Sequence, residues 1–280
     1  MKLLNQIVAV TALNLRNLPR RWGGSLVAIV GVAAVVLVSA AVLSMAAGFE
    51  RTMISAGSED TAILLRGAAQ AELNSGLTNE QVQIIESAPG VLRDGDQSVM
   101  SAELYVVVDI AKQSTGDDAN VPLRGVQAGA FAVRDNVEIV EGRLFEPGRN
   151  ELIVGRAAQQ EFAGLSVGSD IRFGQTTWSV TGVFAANGSV SESELWTDLP
   201  VLQTMYRRGS TVQSVRVRLE DRDAIDELDV ALADDPRVDV DVQSERAYYA
   251  DQAEPLSVFI RTIGYPLTIL MAIGAVFGAV

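Results

Sequence analysis

Two stretches of the chain carry no charged side chain, the 27 residues from Gly23 to Phe49 and the 19 from Thr262 to Val280. As a helix the first would be roughly 40 Å long at about 1.5 Å per residue, against a hydrocarbon core of about 30 Å. Leu26, Val27, Ile29, Val30, Val32 and Leu37 are among the residues that favour its insertion. A cleaved signal peptide is the alternative, but its apolar region would run about 7 to 15 residues; an uncleaved anchor over 23–49 is expected. Upstream, Leu4, Ile7, Val8, Leu15 and Leu18 fall on one side of a helical wheel with Lys2, Asn5, Gln6, Arg16 and Asn17 opposite. Residues 1–22 therefore read as an amphipathic helix on the cytoplasmic membrane surface, or as a tail that only sets topology.

Between the apolar ends the pattern changes to strands and short helices. Thr61 to Arg66 reads as a strand, Thr78 with Gln81 as a capping box for a helix to about Ser87, and Val99 to Ile110 as a long strand. Later, Gln213 to Leu219 alternates as a strand, Arg222 to Ala233 is helical with Ile225, Leu228 and Leu232 on one face, and Val238 to Val242 is a strand. Two β-α-β units of this kind are the halves of a split ferredoxin-like domain. The segment between them, about 121–210, holds shorter strands at Glu151 to Val154, Asp170 to Phe173 and Thr177 to Phe184 and a helix from Arg156 to Phe162. It is expected to be an inserted β-rich subdomain with its own small core. The fold class is thus α+β, with membrane helices flanking a split β-α-β domain that carries an insertion.

Charge orients the arrangement. Lys2, Arg16, Arg20 and Arg21 precede the first span with no acidic residue among them, giving +4 before Glu50 and −17 over 50–261. The N-terminus should then stay in the cytoplasm and residues 50–261 lie outside, with 262–280 beginning a second span. The 280 residues are 48% hydrophobic with a mean hydropathy of +0.22, more apolar than an ordinary soluble globule. The acidic middle disfavours nucleic acid, whose phosphates need a basic footprint. With neither histidine nor cysteine in the chain, no Ser-His-Asp relay, imidazole metal ligand or thiolate can be built.

Other candidates have bland readings. Lys112 lies in a hydrophilic run to Asn120 and reads as a solvated loop. The pairs Asp94 with Asp96, Asp117 with Asp118, and Asp239 with Asp241 lack the full spacing of a calcium loop. Asn187-Gly188-Ser189 fits a sequon and reads as a turn. Phe145, Phe162, Phe173, Trp178 and Phe184 are expected in the core, and Gly142, Gly155, Gly168 and Gly182 at turns or strand ends. No catalytic, cofactor-binding or metal site is expected from these residues.

A set of motifs then carries a resemblance. Glu141-Gly142-Arg143-Leu144-Phe145, Asn150-Glu151-Leu152-Ile153-Val154-Gly155, Val167-Gly168 with Ile171, and Val180-Thr181-Gly182-Val183-Phe184 resemble the periplasmic core of MacB/FtsX-type ABC transporter permeases. Asn79 to Val91, with its Pro89-Gly90-Val91 turn, and Ala12-Leu13-Asn14-Leu15-Arg16 before the first span are similar to that family as well. The resemblance implies a permease subunit of the bacterial inner membrane for export or mechanotransmission, working as a homo- or heterodimer with a separate cytoplasmic ATPase. A periplasmic adaptor or outer-membrane partner is a further possibility of the family, and the chain would end inside the second of four spans. No G-x-x-x-x-G-K-[ST] is present, so ATP chemistry would belong to the partner and no cofactor to this chain. An FtsX-like regulator of a cell-wall enzyme and a two-span periplasmic sensor share the same outline.

Overall fold

A computed structural model describes residues 22–279; the expected amphipathic helix over 1–22 lies, but for its last residue, outside them. Residues Thr52–Gln252 form one compact unit, and the segments up to Arg51 and from Ala253 form another.

In the terminal unit, helix α1 (Trp22–Ala56) contributes residues up to Arg51, with Leu26, Ile29, Val36 and Leu37 exposed. The C-terminal helix (Glu245–Ala279) contributes residues from Ala253, with Phe259, Leu270 and Phe277 exposed. Each helix contains a stretch long and apolar enough to cross a membrane by length and composition. The two meet through polar pairs: Ser39 Oγ lies 2.9 Å from Thr268 Oγ1, and Arg261 Nη2 donates to Glu50 Oε2 at 2.7 Å. Hydroxyl pairs of this kind hold helices together where apolar burial supplies no driving force between them.

In the unit Thr52–Gln252, β1 (Thr61–Arg66) is followed by a 3-10 turn (Glu72–Asn74) and α2 (Asn79–Ser87). The capping box forms as expected: Thr78 Oγ1 accepts from the Gln81 amide at 3.3 Å and Gln81 Oε1 from the Thr78 amide at 3.0 Å. A small hairpin, β2 (Arg93–Asp94) and β3 (Gln97–Ser98), precedes β4 (Met100–Ala111) and β5 (Asp118–Val126). Then come α3 (Ala130–Val133), β6 (Glu138–Gly142), β7 (Glu151–Gly155), α4 (Arg156–Glu161), β8 (Asp170–Phe173) and β9 (Thr176–Ala185). A second 3-10 turn (Val190–Ser193), β10 (Leu195–Asp198), α5 (Leu199–Met205), β11 (Ser214–Arg218), α6 (Ala224–Ala233) and β12 (Val240–Ser244) lead to the C-terminal helix, α7.

The sheet runs β12-β1-β11-β4-β5-β10-β7-β9-β6, with β8 on β9. Its first four strands alternate antiparallel in the order of a split β-α-β domain, with β11 from the second half between β1 and β4 of the first. The insertion is joined to this unit by one strand: β4 pairs Met100–Glu103 with β11 and then Leu104–Ala111 with β5.

The expectation that the insertion has its own core holds only for a six-residue cluster of Val126, Ala130, Phe145, Ile153, Phe184 and Trp196. Most of its other buried apolar side chains, among them Leu123, Leu152, Phe162, Phe173 and Trp178, belong to one core with Leu64, Ile85, Val215 and Leu228 of the split unit. The cause is β4, twelve residues long, which carries the same apolar face across both parts of the sheet.

Candidate functional site

The opposite face of the sheet carries a charged patch that is nonetheless buried. Side chains alternate across a strand, so on β4 Met100, Ala102 and Leu104 join the helix-covered core while Ser101, Glu103 and Tyr105 face the other way. On β11, Ser214 and Arg216 lie opposite Val215 and Val217. Register aligns the polar set: Ser214 pairs with Glu103, Tyr105 with Arg124, and Arg124 with Trp196.

Three guanidiniums and four carboxylates meet there. Arg124 forms a two-pronged pair with Glu194, Nε to Oε2 and Nη2 to Oε1, both 2.8 Å. It also donates to Glu72 at 2.7 and 3.1 Å and to Glu103 at 2.9 Å. Arg216 donates to Glu103 at 2.6 Å, Glu72 at 3.0 Å and Glu245 at 3.1 Å. Arg134 grips both oxygens of Glu103 at 2.7 and 2.8 Å. Ser214 Oγ adds a 2.6 Å bond to Glu72, and Trp196 Nε1 a 2.7 Å bond to Glu194. Arg124 lies 4.8 Å from the Tyr105 ring centre, and Arg134 5.0 Å from that of Trp196.

Burial pushes the Glu103 carboxyl up, but Arg134, Arg216 and Arg124 outweigh it and hold it at about 2. Glu72 is likewise well below the usual carboxylate range: burial opposes, and Arg124 and Arg216 prevail. Burial, with the neighbouring Glu194 carboxylate, raises the Tyr105 phenol to about 12. The surrounding guanidiniums thus keep Glu72 and Glu103 as carboxylates at neutral pH. Mechanically the arrangement is a joint. Glu72, Glu103 and Arg216 come from the split unit, Arg124, Arg134 and Glu194 from the insertion, and Glu245 from the first turn of α7.

A cleft of about 470 Å³ opens beside the joint, with Glu72, Arg124, Glu194 and the rings of Tyr105, Tyr248 and Tyr249 in its wall.

The network was absent from the sequence reading, although Ser-x-Glu-x-Tyr at 101–105 and Ser-x-Arg-x-Arg at 214–218 mark one polar sheet face of mixed charge. The motif residues that were singled out do come together. Arg143 pairs with Glu151 through two 2.8 Å bonds, and these bonds hold the Glu151 carboxyl at about 2. Gly142, at φ +73°, crosses β9 so closely that a Cβ would strike the Thr181 carbonyl, and a Cβ at Gly155 would strike that of Glu192. Phe145, Phe162, Phe173, Trp178 and Phe184 are all buried. Asn187 takes φ +52° in a turn held by Glu192 Oε1, which accepts from the Ala186 and Gly188 amides at 2.7 and 2.9 Å. Lys112 pairs with Glu161 at 2.8 Å on the surface. Asp94 and Asp96 belong to the small hairpin, Asp117 ends the β4–β5 turn and Asp118 begins β5 opposite Ala111, and Asp241 accepts from the Ala68 amide at 2.8 Å.

The model of the MacB-like periplasmic core domain matches residues 25–234, three quarters of the chain. The chain belongs to this family. It is a periplasmic domain of ABC-type transporter permeases, here with an apolar helix at each end. Among solved structures, the extracellular domain of the noncanonic ABC-type transporter YknZ from Gram-positive bacteria is 19% identical, covering 66% of this chain and 100% of that one at a TM-score of 0.48. The periplasmic region of MacB from Actinobacillus actinomycetemcomitans is 13% identical over 69% of this chain and 92% of that one, TM-score 0.47. A domain of a putative permease from Porphyromonas gingivalis is 14% identical over 66% and 88%, TM-score 0.44. No curated protein matches the chain significantly.

Proposed function

We propose that the chain is the membrane subunit of an ABC-type export or mechanotransmission complex of the bacterial inner membrane, with residues 50–261 extracytoplasmic. A separate cytoplasmic ATPase supplies the energy, and a second permease subunit completes the dimer. The observation that carries this reading is the family match over 25–234 in a chain whose apolar helices flank the domain. The basic N-terminal flank supports the orientation, and the acidic domain suits solubility outside the cytoplasm.

In this reading ATP-driven movement of the helices reaches the periplasmic domain as a rigid-body displacement through the chain around Arg51, inside α1, and Pro255, inside α7. Inserting flexible Gly/Ser segments of about ten residues after Arg51 and before Pro255 adds roughly 15 to 20 Å of reach to each link. In the complete permease with its ATPase, ATP hydrolysis should persist and export or partner activation should be lost. Undiminished export with both insertions would overturn this coupling.

A further inference from the structure

The buried network holds one more carboxylate than guanidinium. Glu72, Glu103, Glu194 and Glu245 act only as acceptors, and Arg124, Arg134 and Arg216 are the cations that face them. A net negative charge is left below the surface, where an unmatched charge is costly. Two of these carboxylates, Glu72 and Glu194, lie in the wall of the 470 Å³ cleft.

The cleft cannot take an anion well. Its one cationic side chain, Arg124, has five N–H groups, and five hydrogen bonds to Glu72, Glu103 and Glu194 use them. A cation meets the opposite situation. Tyr105, Tyr248 and Tyr249 present aromatic rings to the space, the last two with centres 5.5 Å apart and planes at 60°. Tyr249 is only 7% exposed, and its hydroxyl has no hydrogen-bond partner among the described residues. That oxygen is free to accept from an N–H donor. Met53, Leu73 and Val190 give the remaining wall an apolar surface. Every residue named lies within Thr52–Gln252.

We propose that this cleft binds a small organic monocation, an ammonium or guanidinium carried on an apolar body. The cation supplies the charge that the network lacks, the tyrosine rings flank it, and the apolar body fills a space of the size usual for small-molecule sites. The chemistry of the cleft is independent of whether the domain serves export or regulation.

Calorimetric titration of the full chain in detergent at pH 7 tests this with three probes of one shape: phenethylammonium, neutral 2-phenylethanol and anionic 3-phenylpropionate. Phenethylammonium should bind saturably, the alcohol at least tenfold more weakly, and the anion not at all. Tyr105→Leu should weaken the ammonium about two- to thirty-fold, the range of a cation–π contact. Tyr249→Phe keeps the ring and removes only the hydroxyl, so it should retain the melting temperature and still weaken binding several-fold. The proposal is overturned if the anion binds as tightly as the ammonium. It fails equally if the ammonium shows no saturable binding up to about 10 mM, or if Tyr249→Phe binds it as well as the original chain does.

Discussion

On β1, Ala62 and Leu64 join the helix-covered core, while Ile63 and Leu65 face the other side with Tyr248 and Tyr249. Neighbouring strands extend the division. One face buries Val215, Val217, Leu104 and Leu123 against α2, α5 and α6; the other buries Arg216, Glu103 and Arg124 under the two 3-10 turns and the first turns of α7. The apolar face holds by excluding water, without directional demands. The charged face must match each guanidinium to carboxylates, and such a match is fragile when one partner is lost. It also ties the insertion to the split unit, because Arg124 of the one bonds Glu72 and Glu103 of the other.

The largest break in that comparison removes both faces at once. Deleting residues 213–242 takes out β11 and most of β12, leaving β1 and β4 without their shared neighbour. Near-ultraviolet circular dichroism should then show no cooperative melt; a melt equal to that of the intact chain would refute the split-domain pairing.

Single substitutions sharpen it. Arg216→Met takes one guanidinium from Glu72 and Glu103 and the 3.1 Å partner from Glu245, and should cost about 3 to 5 kcal/mol at pH 7. Leu228→Ala on the apolar face, fully buried in α6, should cost about 2 to 5 kcal/mol through the cavity left behind. Acid separates the two. The carboxyl of Glu103 is depressed in the folded state from about 4.5 to about 2, so its contribution is complete above pH 4.5 and is lost as pH falls towards 2. The deficit of Arg216→Met should therefore shrink in urea titrations near pH 3, while that of Leu228→Ala should not. Equal deficits at both pH values would show that the ion network does not act as described.

The apolar face was legible because its signals are local. The Thr78–Gln81 capping box, the Leu228 and Leu232 spacing on α6 and the alternation in β4 each lie within a dozen residues. The charged face was not, because period-two alternation of Ser101, Glu103 and Tyr105 looks the same whether water or protein lies over it. What covers it comes from Glu72, Arg134, Val190 and Glu245, far apart in sequence. The insertion was legible as a β-rich segment but not as part of a common core, since only the register of β4 with both β11 and β5 decides that. Short elements such as α3 and the edge strand β6 carry too little periodicity to stand out.

Both faces belong to a domain proposed to lie outside the cytoplasm, and reporter fusions measure that placement directly. An alkaline phosphatase fused near Gly188, in the exposed turn after β9, should be active in intact cells, and one fused at Asn5 should be inactive. An inactive fusion at Gly188 with an active one at Asn5 would invert the topology and contradict the reading of this chain as a permease with an extracytoplasmic MacB-like domain.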